Sequence, residues 1–370
     1  MKDFIQITEN LAKIVGELEN QRKQVGQFLK EVNSLTNLTL TNEILEDKII
    51  IPVQKANLNN IKIAGIDGGL VKKSFHGLDV MLVRAIGVIF QYENNKLSST
   101  NYYPDSIPSP EPKTVFDPFN DLEFEINSNI DRQLKEITTA KETIELHEPD
   151  ILFLDGSIIP QYIGQYTFVP RGSLLYANYQ RLIDAYKQLF ETVKKKKTIL
   201  AGVTEDSRGT RFCEVLNSLF ITHFNPHITP STRIALLKSK DSNLLTYALS
   251  YGERSFVFPY SSNPKKHTVL KEFQDRDKVL VFYLKTADLD RPLRVELFAD
   301  KGAVDKANFV SSALLSLAGH SSYGMPSVLI EADQRAKLQE KDLEMFYYDI
   351  INKAGNLASL MEQRRNQRPF

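Results

Sequence analysis

The chain has 370 residues, 42% of them apolar and 25% charged, the make-up of a globular protein long enough for one large domain or two modest ones. Lys+Arg and Asp+Glu each total 46, so the formal net charge is zero and no basic whole-protein field announces a nucleic-acid partner; a local basic channel stays open. The one cysteine, Cys213, excludes an intrachain disulfide framework and a cysteine-rich zinc site, and fits a reducing compartment.

The first segment, MKDFIQITENLAKIVGELENQ, carries charge throughout and has no apolar core, so no signal peptide is expected. No apolar run reaches the roughly 18 residues of a membrane span. The expectation is a cytoplasmic protein without membrane contact.

Residues 1–35 read as one helix. In heptads counted from Phe4, the a positions are Phe4, Leu11, Leu18, Val25 and Val32, and the d positions are Ile7, Ile14, Gln21, Phe28 and Leu35. Nine of these ten are apolar, the seam of a coiled coil or of a long helix laid on its own domain. Residues 1–45 are therefore set apart as a helical extension, with 46–370 as the main domain.

Residues 37–60 read as a connector. Strands are predicted at 61–67, 80–90 and 96–104, joined by short links as an antiparallel meander. The proline-rich stretch 104–121 reads as a loop. A helix at 129–147, capped by Ser128 or Asn129, leads into a strand at 150–155. A helix at 173–194 and a strand at 198–203 follow, and the lysine run 194–197 suits the helix C-terminus. Further helices are read in RGTRFCEVLNSLF and SNLLTYALSYG, late strands in VLVFYLKT and LRVELFA, and closing helices near 303–318 and 326–361. This order is that of an α/β protein, a mixed sheet flanked by helices.

Two strands end in the same way. IAGIDGG brings Asp67 to a strand end before Gly68 and Gly69, and ILFLDGS repeats the pattern with Asp155 and Gly156. Strand ends in open α/β sheets are where ligands collect, and glycines there let the chain turn and a ligand approach. A lone aspartate could merely cap a turn, but a repeated pair suits two chemistries. The carboxylates could hold Mg²⁺ or Mn²⁺, hard ions that favour oxygen, and two such ions can drive phosphodiester cleavage. Alternatively, the Asp-Gly turns could cradle nucleotide phosphates, as in actin-like ATPases, although no glycine-rich adenosine segment or Walker motif follows. On the preceding helix, Glu136 and Glu142 are further acidic candidates.

Four places resemble the NurA family of nucleases: IAGIDGG, the Arg132-Glu136-Ala140 spacing, ILFLDGSII, and GMPSVLIEADQRAKL at 324–338. Together they span roughly 61–340. The resemblance implies a ribonuclease H-like core and a metal-dependent DNA nuclease, using Mn²⁺ or Mg²⁺ as two ions. It implies 5′ to 3′ trimming of DNA ends, with single-strand endonuclease activity as a further possibility. It also implies a homodimer working with a hexameric HerA-type ATPase in the resection of double-strand breaks. By position, Asp67, Glu136, Asp155 and Asp333 become the catalytic metal ligands. The family commonly has a tyrosine and a histidine where Met325 and Asp333 stand; Asp333 can still offer oxygen, whereas Met325 cannot replace a phenol. Tyr323 and His320 lie close by in sequence. Arg208 or Arg211 could supply positive charge for DNA after the 198–203 strand, and Arg294 and Glu296 could pair or face the site. The departures also leave open a decayed, non-catalytic adaptor.

Overall fold

The structure, a computed structural model, describes residues 2–35, 38–75, 78–116, 119–165, 169–223 and 230–354. In chain order the elements begin with α1 (Lys2–Leu35), β1 (Ile50–Pro52), β2 (Ile61–Ser74), β3 (Asp79–Glu93), β4 (Lys96–Tyr103) and β5 (Glu111–Val115). Then come α2 (Asp121–His147), β6 (Ile151–Asp155), α3 (Leu174–Lys196), β7 (Ile199–Thr204), α4 (Arg211–His223), α5 (Pro230–Lys238) and α6 (Asp241–Ala248). The last are β8 (Glu253–Ser255), β9 (Phe258–Pro259), β10 (Val279–Lys285), β11 (Leu293–Phe298), α7 (Ala303–Leu317), α8 (Ser327–Ala336) and α9 (Glu340–Ala354). This is the mixed α/β architecture with an N-terminal helix that the sequence predicts. The chain forms two compact units, one of residues 1–58 with 201–327, the other of 59–200 with 328–370.

In the second unit β2, β3 and β4 form the expected antiparallel meander, and β6 joins β2 in parallel, Ile63 opposite Ile151. Several boundaries differ from the sequence reading. β2 does not turn at Gly68 and Gly69 but runs on to Ser74, paired with β3 along its whole length. The proline-rich stretch contains β5, which pairs with the first residues of β3. Helix α2 starts at Asp121, not 129: Asn120 accepts from the Glu123 amide at 2.9 Å, and the Glu123 carboxylate answers at the Asn120 amide, a capping box. The helix read at 326–361 is two, α8 and α9, and its stretch 355–361 lies outside the described residues.

Helix α2 crosses β2 and β3 and packs on α3. Its end is held by Lys62, whose ammonium donates to the His147 carbonyl at 2.9 Å, a cation placed where the helix dipole favours one. The lysine run behaves as read, with Lys194 on Glu191, Lys196 on Glu148, and Lys197 as the left-handed cap at φ 61°. Because strand side chains alternate between faces, the glycines of β2 open on both. On one face, Cβ atoms at Gly65 and Gly69 would meet the Val328 carbonyl oxygen at 2.8 Å and that of Ala336 at 2.0 Å, so α8 lies against bare backbone. On the other face Gly68 opens toward α2.

In the first unit β1, β8, β10, β11 and the end of β7 make an antiparallel sheet in that order, with β9 also on β10. Its core gathers Phe212, Phe256, Phe258 and Tyr283 with Val25, Leu29 and Val32 of α1. Gly26 brings α1 onto α6, where a Cβ would lie 2.7 Å from that of Tyr247. The heptad helix is thus divided. Its second half packs on its own unit, and its first half leaves Phe4, Ile7, Leu11 and Ile14 exposed. Arg254, fully buried, is clasped by both oxygens of Glu46 at 2.7 and 2.6 Å. Arg294 and Glu296 settle one alternative by pairing with each other at 2.9 Å, and the Arg294 guanidinium lies over the Tyr260 ring. Among the described residues no helix is long and apolar enough to cross a membrane.

Candidate active site

Asp67 sits in mid-strand on β2, only 8% exposed, its Oδ1 accepting from the Gly68 amide at 2.7 Å. Burial pushes its carboxyl up to about 6; the negative charge of Asp333 adds to the rise, while the Gly68 amide and Arg132 oppose it. Glu136 approaches from α2 through the gap at Gly68, where a Cβ would come within 2.4 Å of Glu136 Oε1. A side chain at residue 68 would have to displace the Glu136 carboxylate from this position. Glu136 is held up at about 8, first by burial and then by Asp67 and Asp155, against the pull of Arg132. One turn earlier on the same helix, Arg132 donates to Glu136 Oε1.

Asp155 closes β6 as an exposed residue, followed by Gly156 at φ +105°, so the strand-Asp-Gly turn is real here. Asp333 is exposed on α8, the helix that covers the Asp67 face of β2. The fold therefore links the four acids pair by pair: Asp67 feels the charge of Asp333, Glu136 feels those of Asp67 and Asp155, and Arg132 acts on both Asp67 and Glu136. Among the described residues, however, no three Asp, Glu, His or Cys side chains converge closely enough to cage an ion as they stand. Glu136 is engaged by Arg132, and alternation along β2 sends Asp67 and the Gly68 gap to opposite faces.

The donor set nonetheless suits a hard divalent cation: every candidate ligand is a carboxylate oxygen. Two buried carboxyls resist ionisation, first because burial strips water from the charged form and then because neighbouring carboxylates add their charge, and an added cation would favour the ionised forms.

Of the other candidates, Glu142 accepts from the Tyr103 hydroxyl at 3.0 Å, which separates its role from that of Glu136. Arg208 is exposed and Arg211 is bound by Glu43 and Glu214; both belong to the first unit. Met325 is buried, His320 is exposed, and the Tyr323 hydroxyl donates to Glu205. Sequence reasoning noted the Arg132-Glu136 spacing but not the ion pair; the i, i+4 interval was its signal. It had no signal for Gly68 as the notch that receives Glu136.

The NurA domain model matches residues 61–338. Among solved structures, the NurA nuclease from Sulfolobus solfataricus aligns with 95% of this chain and 95% of its own at 15% identity, TM-score 0.58. A NurA structure bound to dAMP and manganese aligns with 96% of this chain and 99% of its own at 12% identity, TM-score 0.57. Another, with manganese, aligns over the same shares at 11% identity, TM-score 0.52. No curated protein sequence matches the chain. At these identities the structures speak for the fold, and the domain match covers well over half of the chain: it belongs to the NurA nuclease family.

Proposed function

We propose that this chain is a divalent-metal-dependent deoxyribonuclease that trims DNA ends. The observation that carries the reading is Glu136 seated in the gap at Gly68, the residue after Asp67: two buried acids on separate elements with carboxyls held up first by burial, and then by the charge of Asp333 on Asp67 and of Asp67 and Asp155 on Glu136. Asp67, Glu136, Asp155 and Asp333 would hold Mn²⁺ or Mg²⁺, as two ions. When bound, such ions supply Lewis acidity, activating water and offsetting charge on the phosphoryl group. Arg132, already among these acids, adds a fixed positive charge that a DNA phosphate can meet. Binding through the DNA backbone would weaken with salt and show little sequence preference.

The finer features rest on family membership. They are the 5′ to 3′ direction, the HerA-type ATPase, the homodimer, the cytoplasmic setting and a role in double-strand-break resection. The exposed apolar first half of α1 offers a surface for a second copy or for the ATPase. A non-catalytic adaptor is the second reading, favoured by buried Met325 and by the acids not converging.

End-labelled single- and double-stranded DNA incubated with Mn²⁺, Mg²⁺ or EDTA separates the two. Metal-dependent degradation that Asp67→Ala and Asp155→Ala both abolish is the expected result. An inactive wild-type protein, with a matching ATPase present, would favour the adaptor.

A further inference from the structure

Beside the acidic cluster lies a pocket of about 390 Å³, a size typical of small-molecule sites. One wall is α2, with Asn129, Ile130, Arg132 and Gln133; the other is the segment after β6, with Gln161 and Tyr162. Both walls continue directly into the candidate site. Glu136 follows Arg132 by one helical turn, and Asp155 precedes Gln161 on the same connection. Arg132 is common to the two, lining the pocket while donating to Glu136.

The lining has a distinct chemistry. Ile130 is buried and gives an apolar floor, and Tyr162 presents a flat ring, 38% exposed. Gln133 and Gln161 each bring an amide that both donates and accepts, while the Asn129 amide nitrogen is already given to the Glu125 carbonyl and carboxylate. Arg132 is the single basic group, which is too little for a phosphate cluster, and Glu125 at the rim is already held by Lys72. An aromatic face, adaptable amides and an apolar floor beside a phosphodiester site match one class of ligand, a heterocyclic base. Gly164 helps to set the ring in place, since a Cβ there would come within 2.5 Å of Tyr162 Cζ and hydroxyl oxygen.

We infer that this pocket receives the nucleobase of the nucleotide at the cleavage site, stacked on Tyr162 and met by the amides of Gln133 and Gln161. The inference rests on the nuclease reading and deepens it. Stacking accepts any base because every base has a π-face, and amides on flexible arms can turn to either polarity. The pocket therefore demands a base without choosing among bases. Tyr162 is a positioning residue here, aligning the sugar-phosphate with the acids.

The test compares binding of dAMP and 2-deoxyribose 5-phosphate to the full chain with Mn²⁺, by calorimetry. The wild type is expected to bind dAMP about tenfold more tightly or better, the usual weight of one stacked base. Tyr162→Ala and Gln133→Ala should each shrink that ratio toward one while leaving sugar-phosphate binding unchanged. Tyr162→Phe should keep it, and Gly164→Ala, which crowds the ring, should reduce it. Tyr162 is exposed and Gln133 is half-buried, so neither truncation threatens the fold. Equal binding of the two ligands by the wild type, or a ratio untouched by Tyr162→Ala, overturns the inference. The readout needs no turnover, so a protein that keeps the ratio but cuts no DNA would sink the nuclease reading alone. A protein that cuts an abasic terminal nucleotide as readily as a normal one would sink the pocket alone.

Discussion

Glu136 reaches β2 only because residue 68 has no side chain: a Cβ at Gly68 would stand 2.4 Å from its carboxylate oxygen and 2.6 Å from its Cγ. A helix and a strand distant in sequence thus share one gap, and the acid in it feels the charge of Asp67 from the neighbouring position of the strand.

Gly68→Ala should therefore act as a catalytic mutation with no change of charge. The methyl group would push the Glu136 carboxylate out of its notch, and overpacking there should cost about 1–3 kcal/mol. The expected outcome is a loss of nuclease turnover of about a hundredfold or more, with a folded protein by circular dichroism. Full activity in Gly68→Ala would separate Glu136 from the chemistry.

Glu136→Gln and Glu142→Gln should differ sharply, though the two residues share one helix. Glu142 is turned to the Tyr103 hydroxyl. We expect cleavage to vanish in Glu136→Gln and to stay within about twofold of wild type in Glu142→Gln. Comparable losses in both would remove the distinction that the structure draws.

The metal-free protein should lose stability as pH rises from about 4 to about 8. Asp67 and Glu136 have folded-state carboxyls raised to about 6 and about 8. The folded chain then holds these protons more tightly than the unfolded chain does. Their stabilising effect is complete below the ordinary carboxylate pKa and is lost as pH passes through the raised values. Each tenfold gain in proton affinity on folding corresponds to about 1.4 kcal/mol, so roughly 1–3 kcal/mol is at stake for Asp67. Thermal midpoints in EDTA should fall between pH 5.5 and 8.5, less steeply in Asp67→Asn and Glu136→Gln. Added Mn²⁺ should raise the midpoint at the upper end, because a ligand of the folded state stabilises it. Identical pH slopes in wild type and both variants would show that these carboxyls ionise freely.

Glu46→Ala tests the other unit. It would leave the fully buried Arg254 with Asn308 and the Ser255 carbonyl but no counter-charge. Breaking a buried pair from one side typically costs about 3–5 kcal/mol. Chemical denaturation should report a loss in that range, and a loss below about 1 kcal/mol would mean that water reaches Arg254.

Much of this architecture was legible because it is local. The meander of β2, β3 and β4, the turn after Asp155 and the heptad pattern of α1 follow from runs of a few residues. The start of α2 was hidden because Ser128 and Asn129 look like a cap, while the true capping box at Asn120 and Glu123 precedes them. Gly68 and Gly69 look like a turn, yet they lie inside a strand, since their purpose is set by Glu136 and the Ala336 carbonyl, far away in sequence. No local pattern encodes such a contact. The pairing of Arg294 with Glu296 was open for the same reason: adjacent same-face residues on a strand can meet each other or a third element.

Whether Asp67 and Glu136 hold the ion can be read from Mn²⁺ binding, followed by the loss of the free-ion electron paramagnetic resonance signal. Wild type, Asp67→Asn, Glu136→Gln and Glu142→Gln would be compared at one pH. We predict saturable binding by the wild type and by Glu142→Gln, with affinity lost in Asp67→Asn and Glu136→Gln. Unchanged binding in all four would contradict the assignment, because the ion would then be held by groups other than Asp67 and Glu136.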